Sequence, residues 1–193
     1  MRIIVPVKPL AQAKSRLGTV LSPGERARVM CGLLARVVKA ANAVARVSVV
    51  TADGAVAAMA MALGADVIDE GAVRGLDGAA RLGVDQARRD GEMTVMVLAA
   101  DLPEVTVGAL KAMLSRVRPR AVVIAPSRDG GTNAIVLASH IDFRFAYGPD
   151  SFTRHCAEAR RLAREVIVHE SEALGLDIDR PEDLAGHQDL WAA

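Results

Sequence analysis

A chain of 193 residues is long enough for one well-packed α/β domain and short for two. Its apolar half is mostly Ala, Val and Leu with only 3% aromatic residues, which suits parallel strands covered by helices. A formal net charge of +1 excludes the global field that draws nucleic acid or a membrane surface, so any anion site must be local.

Short β-branched runs alternate with amphipathic ones. Arg2–Val7 reads as a first strand, leading into a Lys/Pro-rich loop through Gly18. Ser22-Pro23-Gly24-Glu25 combines an N-cap serine, a proline at N1 and a glutamate at N3, so a helix should start there and run to about Asn42. Val47–Thr51 is the next strand, and an Asp53-capped, Ala/Met-rich helix follows to Leu63, ended by Gly64. Asp66–Asp69 is a short strand, and a loop from Gly71 to Gly78 leads to a helix ending at Arg89. Thr94–Ala100 is the most continuous apolar run among the strand-like segments and the best candidate for a central buried strand. A helix from Thr106 to Arg118 and a strand at Ala121–Ala125 come next, then Asn133–Ala138 as a strand that can run antiparallel. Ser151 to Ala163 reads as a helix, Val166–Val168 as a strand, and Asp179-Arg180-Pro181-Glu182 as the start of a last short helix.

This order argues a single domain over residues 1–193, a three-layer α/β/α fold with a doubly wound, mostly parallel sheet. Ligands in such sheets collect at the carboxyl ends of the strands, which directs attention to the loops after Val7, Asp69, Ala100, Ala125 and Ile178. Cys31 and Cys156, the only cysteines, read as small core residues in a reducing compartment. With no charged segment ahead of a long apolar run and no stretch of membrane-span length, we expect a soluble cytoplasmic protein.

Four loops carry chemistry. The first, Lys8 to Leu17, packs Lys8, Lys14 and Arg16 where a Rossmann glycine fingerprint would otherwise stand. It lacks the glycines of a P-loop. Those cations suit a triphosphate held by charge, or equally a solvated basic loop. In the second, Asp101 follows an apolar strand at the sheet rim, where a carboxylate can hold Mg²⁺ or cap a turn before Pro103. The third, Asp177-Ile178-Asp179, projects both carboxylates to one side if extended. Capping of the final helix explains Asp179 but not Asp177, whereas a metal shared with Asp101 explains all three.

The fourth joins Asp129-Gly130-Gly131-Thr132-Asn133 to Tyr147-Gly148-Pro149-Asp150-Ser151-Phe152. Its glycines permit close backbone approach, Thr132 and Asn133 offer donors, and Ser151 stands at a helix N-terminus as cap or anion site. His140, His155, His169 and His187 have no spacing that suits a metal site, no Ser/His/Asp trio is suggested, and Met59, Met61, Met93 and Met96 read as core filler.

Pro6-Val7-Lys8-Pro9-Leu10, Ala13-Lys14-Ser15-Arg16-Leu17, Ala100-Asp101-Leu102-Pro103, Gly131-Thr132-Asn133-Ala134, Gly148-Pro149-Asp150-Ser151-Phe152 and Asp177 through Leu184 form an ordered set over almost the whole chain. This set resembles the guanylyltransferases of 2-phospho-L-lactate, phosphoenolpyruvate and 3-phospho-D-glycerate, which serve the synthesis of the deazaflavin coenzyme F420. The resemblance implies a nucleotide-diphospho-sugar transferase fold, GT-A-like and Rossmann-like. It implies that GMP is moved from GTP to a small phosphorylated three-carbon acid, with Mg²⁺ as cofactor and pyrophosphate released. By that resemblance Asp101, Asp177 and Asp179 would hold the metal. Lys8, Lys14 and Arg16 would act with Asp101 on the GTP phosphates, and Thr132 or its neighbour Asn133, with Gly148 and Ser151, would bind the acid. The guanine-side loop reads Gly75-Leu76-Asp77-Gly78-Ala79, with aspartate where the family pattern has asparagine.

The acceptor phosphate is already mostly dianionic at neutral pH, so no general base is needed and none is evident among the histidines. The expected partners are GTP and the phospho-acid, with no nucleic acid and no membrane. A homodimer is allowed, and the product is expected to pass to a downstream transferase. Three alternatives compete. A molybdopterin or sugar-phosphate nucleotidyltransferase would show a glycine-rich first loop. A non-catalytic nucleotide-binding regulator would not require the aspartate set. A GT-A-like glycosyltransferase using the D-x-D would need an acceptor domain.

Overall fold

The computed structural model describes residues 1–71 and 75–190. Seven strands form one sheet: β1 (Arg2–Pro6), β2 (Arg46–Thr51), β3 (Asp66–Asp69), β4 (Thr94–Leu98), β5 (Ala121–Pro126), β6 (Thr132–Ala138) and β7 (Glu165–Val168). Their order is β3-β2-β1-β4-β6-β5-β7, so the most apolar run, β4, occupies the middle. β6 alone runs against its neighbours, pairing antiparallel with both β4 and β5, while every other pairing is parallel.

The helices are α1 (Pro23–Asn42), α2 (Gly54–Ala62), α3 (Leu76–Arg89), α4 (Val107–Leu114), α5 (Ser151–Arg161) and α6 (Glu172–Gly175). α1 begins with the expected reciprocal cap, Ser22 Oγ accepting from the Glu25 N–H while the Glu25 carboxylate accepts from the Ser22 N–H at 2.8 Å. Alternation along each strand sends side chains to two faces. Ile3, Val5, Met96 and Leu98 pack with Leu34, Val37 and Val38 of α1 and Leu110 of α4. Ile4, Val95, Val97, Ile135 and Leu137 pack instead with Ala80 and Val84 of α3 and Ala159 of α5. Helices therefore cover both faces, as the βα alternation requires.

Several boundaries differ from the sequence reading. α4 stops at Leu114, where the Ser115 hydroxyl turns back to the Ala112 carbonyl at 2.7 Å and Pro119 discourages a restart. The final helix is only a 3₁₀ turn, Pro181–Leu184, and Asp179 does not cap it. Asp183 accepts the Asp179 and Arg180 N–H groups at 2.9 and 2.7 Å. Ser151 is not the cap of α5 either. Asp150 takes that place in a left-handed conformation, and Ser151 is the first helical residue. α6 and the two 3₁₀ turns of the first loop were not foreseen. Met96 is core, but Met61 and Met93 are 60% and 71% exposed. Cys156 is buried, Cys31 half-buried, and both are free thiols. Part of the expected loop from Gly71 to Gly78, residues 72–74, lies outside the described residues. Among the described residues no helix is long and apolar enough to cross a membrane.

Candidate active site

The site arises where strand ends meet. β1 and β4 lie side by side and parallel, so the loop after β1 and the loop after β4 leave the sheet at one edge. Because β6 is reversed, its first residues, Thr132 and Asn133, reach that same edge, and the Asn133 carbonyl accepts the Ala99 N–H at 2.8 Å.

The first loop is folded into two 3₁₀ turns, Leu10–Gln12 and Ser15–Thr19. Asp53 anchors it: one carboxylate oxygen caps α2, accepting from Ala55 at 2.9 Å, and the other accepts the Leu10 N–H at 2.8 Å. Those backbone donors hold the Asp53 carboxyl below the usual range against the opposing effect of burial. Between the turns Lys14 adopts a left-handed backbone, φ +53°, which costs on the order of 1 kcal/mol for a residue with a β-carbon. Buried Ala13 and Leu17 on either side hold it there, and its ammonium reaches the Asp101 carboxylate.

The carboxy-terminal segment is pinned by the residue between its two aspartates. Ile178 has no exposed surface, packs with Leu17, Leu21, Val29 and Leu33, and donates its N–H to the Asp101 carbonyl at 3.2 Å. Asp177 and Asp179 on either side of it both line the cleft, and Arg16 pairs with Asp179. The Asp101 loop is held in turn by Arg36, which donates to the Pro103 carbonyl at 3.1 Å.

The resulting cleft has a volume of about 590 Å³, a usual size for a small-ligand site. It brings together all ten residues singled out from the sequence: Lys8, Lys14, Arg16, Asp101, Thr132, Asn133, Gly148, Ser151, Asp177 and Asp179. Burial, and then the neighbouring Asp101 carboxylate, push the Asp177 carboxyl up to about 6, although Asn133 Nδ2 donates to it at 3.3 Å. Two facing carboxylates of this kind are hard-oxygen donors that a divalent cation would relieve of their repulsion. Among the described residues no three His, Cys, Asp or Glu side chains gather into a ready-made cage. Phosphate oxygens and water would have to complete the coordination, which is the habit of Mg²⁺. The donor set therefore fits that ion.

On the far side of the cleft, the turn after β5 closes by a Ser127 N–H to Gly131 carbonyl bond at 3.0 Å. A β-carbon on Gly131 would lie 2.5 Å from Ser127 Oγ, so this glycine serves the turn itself. The Ser151 and Thr132 hydroxyls meet at 3.3 Å in the cleft wall. Arg154 donates to the Tyr147 and Pro149 carbonyls at 3.1 and 2.6 Å, fixing the loop that carries Gly148.

Tyr147 and Arg180, which stand in the motifs read from the sequence without a role of their own, also line the cleft, as does Ser127, which the sequence reading missed along with the place of His155 behind Thr132. Arg180 was legible as a cation next to the D-x-D. The others belong to segments whose convergence no local pattern announces. No histidine or cysteine lines the cleft among the described residues.

The model of the family described as guanylyl transferase CofC-like matches residues 1–187. A phosphoenolpyruvate guanylyltransferase of Sphaerobacter thermophilus is 37% identical over 98% of this chain and 95% of its own length. A 2-phospho-L-lactate guanylyltransferase of Methanothermobacter thermautotrophicus is 36% identical over 94% of this chain and 81% of its own. A 3-phospho-D-glycerate guanylyltransferase of Phenylobacterium zucineum is 35% identical over 93% and 86%. Among solved structures, a Desulfovibrio desulfuricans G20 protein named for the nucleotide-diphospho-sugar transferases superposes with a TM-score of 0.77 at 19% identity, over 95% of this chain and 84% of that one. A nucleotidyl transferase of Methanothermobacter thermautotrophicus gives 0.69 at 14% identity, over 99% and 97%. These two likenesses carry the fold, and the family match over nearly the full chain carries the kinship. The chain belongs to the CofC-like guanylyl transferase family.

Proposed function

We propose that this protein transfers GMP from GTP to a small phosphorylated three-carbon acid and releases pyrophosphate, a step in the synthesis of coenzyme F420. One observation carries the reading. Three cations of the first loop and three aspartates from two other segments converge on a single cleft, in whose wall no histidine or cysteine stands among the described residues. That is the equipment of phosphoryl-group chemistry between anions, which needs neither a nucleophilic side chain nor a general base when the acceptor oxygen is already ionised.

An acceptor phosphate oxygen, already ionised, forms the new bond to the α-phosphorus of GTP. The bond from that phosphorus to the bridging oxygen breaks, and its electron pair leaves with pyrophosphate. Lys8, Lys14 and Arg16 lower the repulsion between the two anions and stabilise charge on the departing group. Thr132, Gly148 and Ser151 orient the acid from the opposite wall, whereas the Asn133 amide is turned to Asp177 and the Leu174 carbonyl and supports the aspartate instead. Asp101 and Asp177, with Asp179 beside them, would hold Mg²⁺, which when bound supplies charge neutralisation at the phosphate oxygens.

The relatives are named for three different acids, which differ by a double bond, a hydroxyl or the phosphate position, so the acceptor is a matter of few contacts. The same reading includes passage of the product to a downstream transferase that uses its new phosphoanhydride. Pyrophosphate release with Mg²⁺ and GTP or ATP, against the three acids in parallel, tests the proposal. Turnover with GTP and one acid supports it, and silence across the panel with GTP still bound overturns it in favour of a nucleotide-binding regulator.

A further inference from the structure

The chain has three phenylalanines and one tyrosine, and all four belong to one apolar cluster under the acceptor wall of the cleft. At its centre lies His155, fully buried, with the Tyr147 ring 4.9 Å away edge-on and Phe143 and Phe145 at 5.8 and 6.3 Å. Both ring nitrogens are engaged. Nε2 is 2.9 Å from the Ala146 backbone nitrogen, which can only donate, so Nε2 carries no proton. The proton of the neutral ring is therefore on Nδ1, which lies 3.0 Å from Thr132 Oγ1 and must donate to it.

Thr132 Oγ1 also lies 3.3 Å from Ser151 Oγ. A threonine hydroxyl has two lone pairs and one proton. With His155 and Ser151 donating to the lone pairs, the Thr132 proton is left to point away from the aromatic cluster, toward the cleft that Thr132 lines. The hydroxyl is thereby turned from an ambivalent group into a donor.

We propose that His155 is a positioning residue for the acceptor: its Nδ1–H fixes the Thr132 hydroxyl as a hydrogen-bond donor to an anionic oxygen of the phospho-acid. The proposal rests on the assignment of this wall to the acid. Burial in the aromatic cluster pushes the imidazole down to about 4, which keeps the ring neutral and the relay in one sense at neutral pH. A histidine serving only to fill the core would support stability without distinguishing one substrate from the other.

Two experiments separate these roles. In steady-state kinetics, His155→Phe is expected to raise the KM for the phospho-acid about tenfold, the loss of one hydrogen bond to a charged oxygen, with the KM for GTP unchanged. His155→Asn, whose amide nitrogen can stand where Nδ1 stood, recovers most of that loss, and in a Thr132→Val background His155→Phe has no further effect on the acid. An unchanged acid KM, equal changes for both substrates, no recovery by Asn, or an undiminished effect in the Thr132→Val background overturns the proposal. Independently of turnover, ¹⁵N spectra of histidine-labelled wild-type protein should show His155 as the Nδ1–H tautomer, and the Nε2–H tautomer overturns it. If the wild type turns over none of the acids, the functional reading fails, and the tautomer decides this proposal alone.

Discussion

The ammonium of Lys14 is hydrogen-bonded to the carboxylate of Asp101, a partner 87 residues further along the chain, and Asp101 in turn raises the pKa of the half-buried Asp177. This one cation offsets the repulsion between two anions of the cleft. Lys14→Met removes it, and we expect kcat to fall by about a hundredfold or more, the scale of losing one fixed charge aimed at a transition state. Asp101→Asn should cost at least as much. Pyrophosphate release at saturating GTP and acid measures both. Retention of most activity in either variant counts against their assigned roles.

Asp177 sets function against stability. Its folded-state pKa is raised to about 6 by burial and by Asp101, so its stabilising contribution is complete only at low pH and is lost as pH rises from the usual carboxylate range through 6. At pH 8 without divalent ions, Asp177→Asn should raise Tm by a few degrees, since the amide removes the buried charge. Its oxygen can still accept from Asn133. At pH 4 the two proteins should melt alike, and activity should be lost at every pH. Thermal melts at the two values read the difference, and a lower Tm at pH 8 contradicts it.

His155 works in the opposite direction. Its folded pKa is depressed from 6.5 to about 4, so the stability it contributes is present above 6.5 and lost as pH falls from 6.5 toward 4. The full loss is on the order of 3 kcal/mol. Urea titrations should show the wild type weakening across that window more steeply than His155→Phe, and parallel slopes would contradict this.

Close approach of α3 to β1 depends on Gly83, where a β-carbon would lie 2.3 Å from Ile4 Cγ2. Alanine gains about 1 kcal/mol in helix propensity, but crowding the fully buried Ile4 costs about 1–3 kcal/mol. Gly83→Ala should therefore lower the urea midpoint modestly with an unchanged slope, and Gly83→Val should lower it much more.

Period and punctuation were enough to locate the elements. The Ser22/Glu25 cap, the alternation of β-branched runs with amphipathic ones and the continuous apolarity of β4 are local signals, and all seven strands stand within two residues of where those signals put them. Chemistry at the rim was legible for a related reason. Lys14, Asp101 and Asp177 are polar residues directly after or between apolar stretches, and the ends of parallel strands are where such residues face a ligand.

What the tertiary structure decided is who meets whom. Asp179 could cap its own helix or reach across the cleft, and the choice fell to Arg16, brought near by burial of Leu17 against Ile178. Ser151 could cap α5 or join the acceptor wall, and a left-handed Asp150 released it for the second role. The antiparallel course of β6 carried Thr132 to the edge, and the aromatic cluster under it oriented His155. Local sequence fixes secondary structure because backbone hydrogen bonds and caps act within a few residues. These pairings span from 19 to 163 residues and form only when the sheet has set the distances.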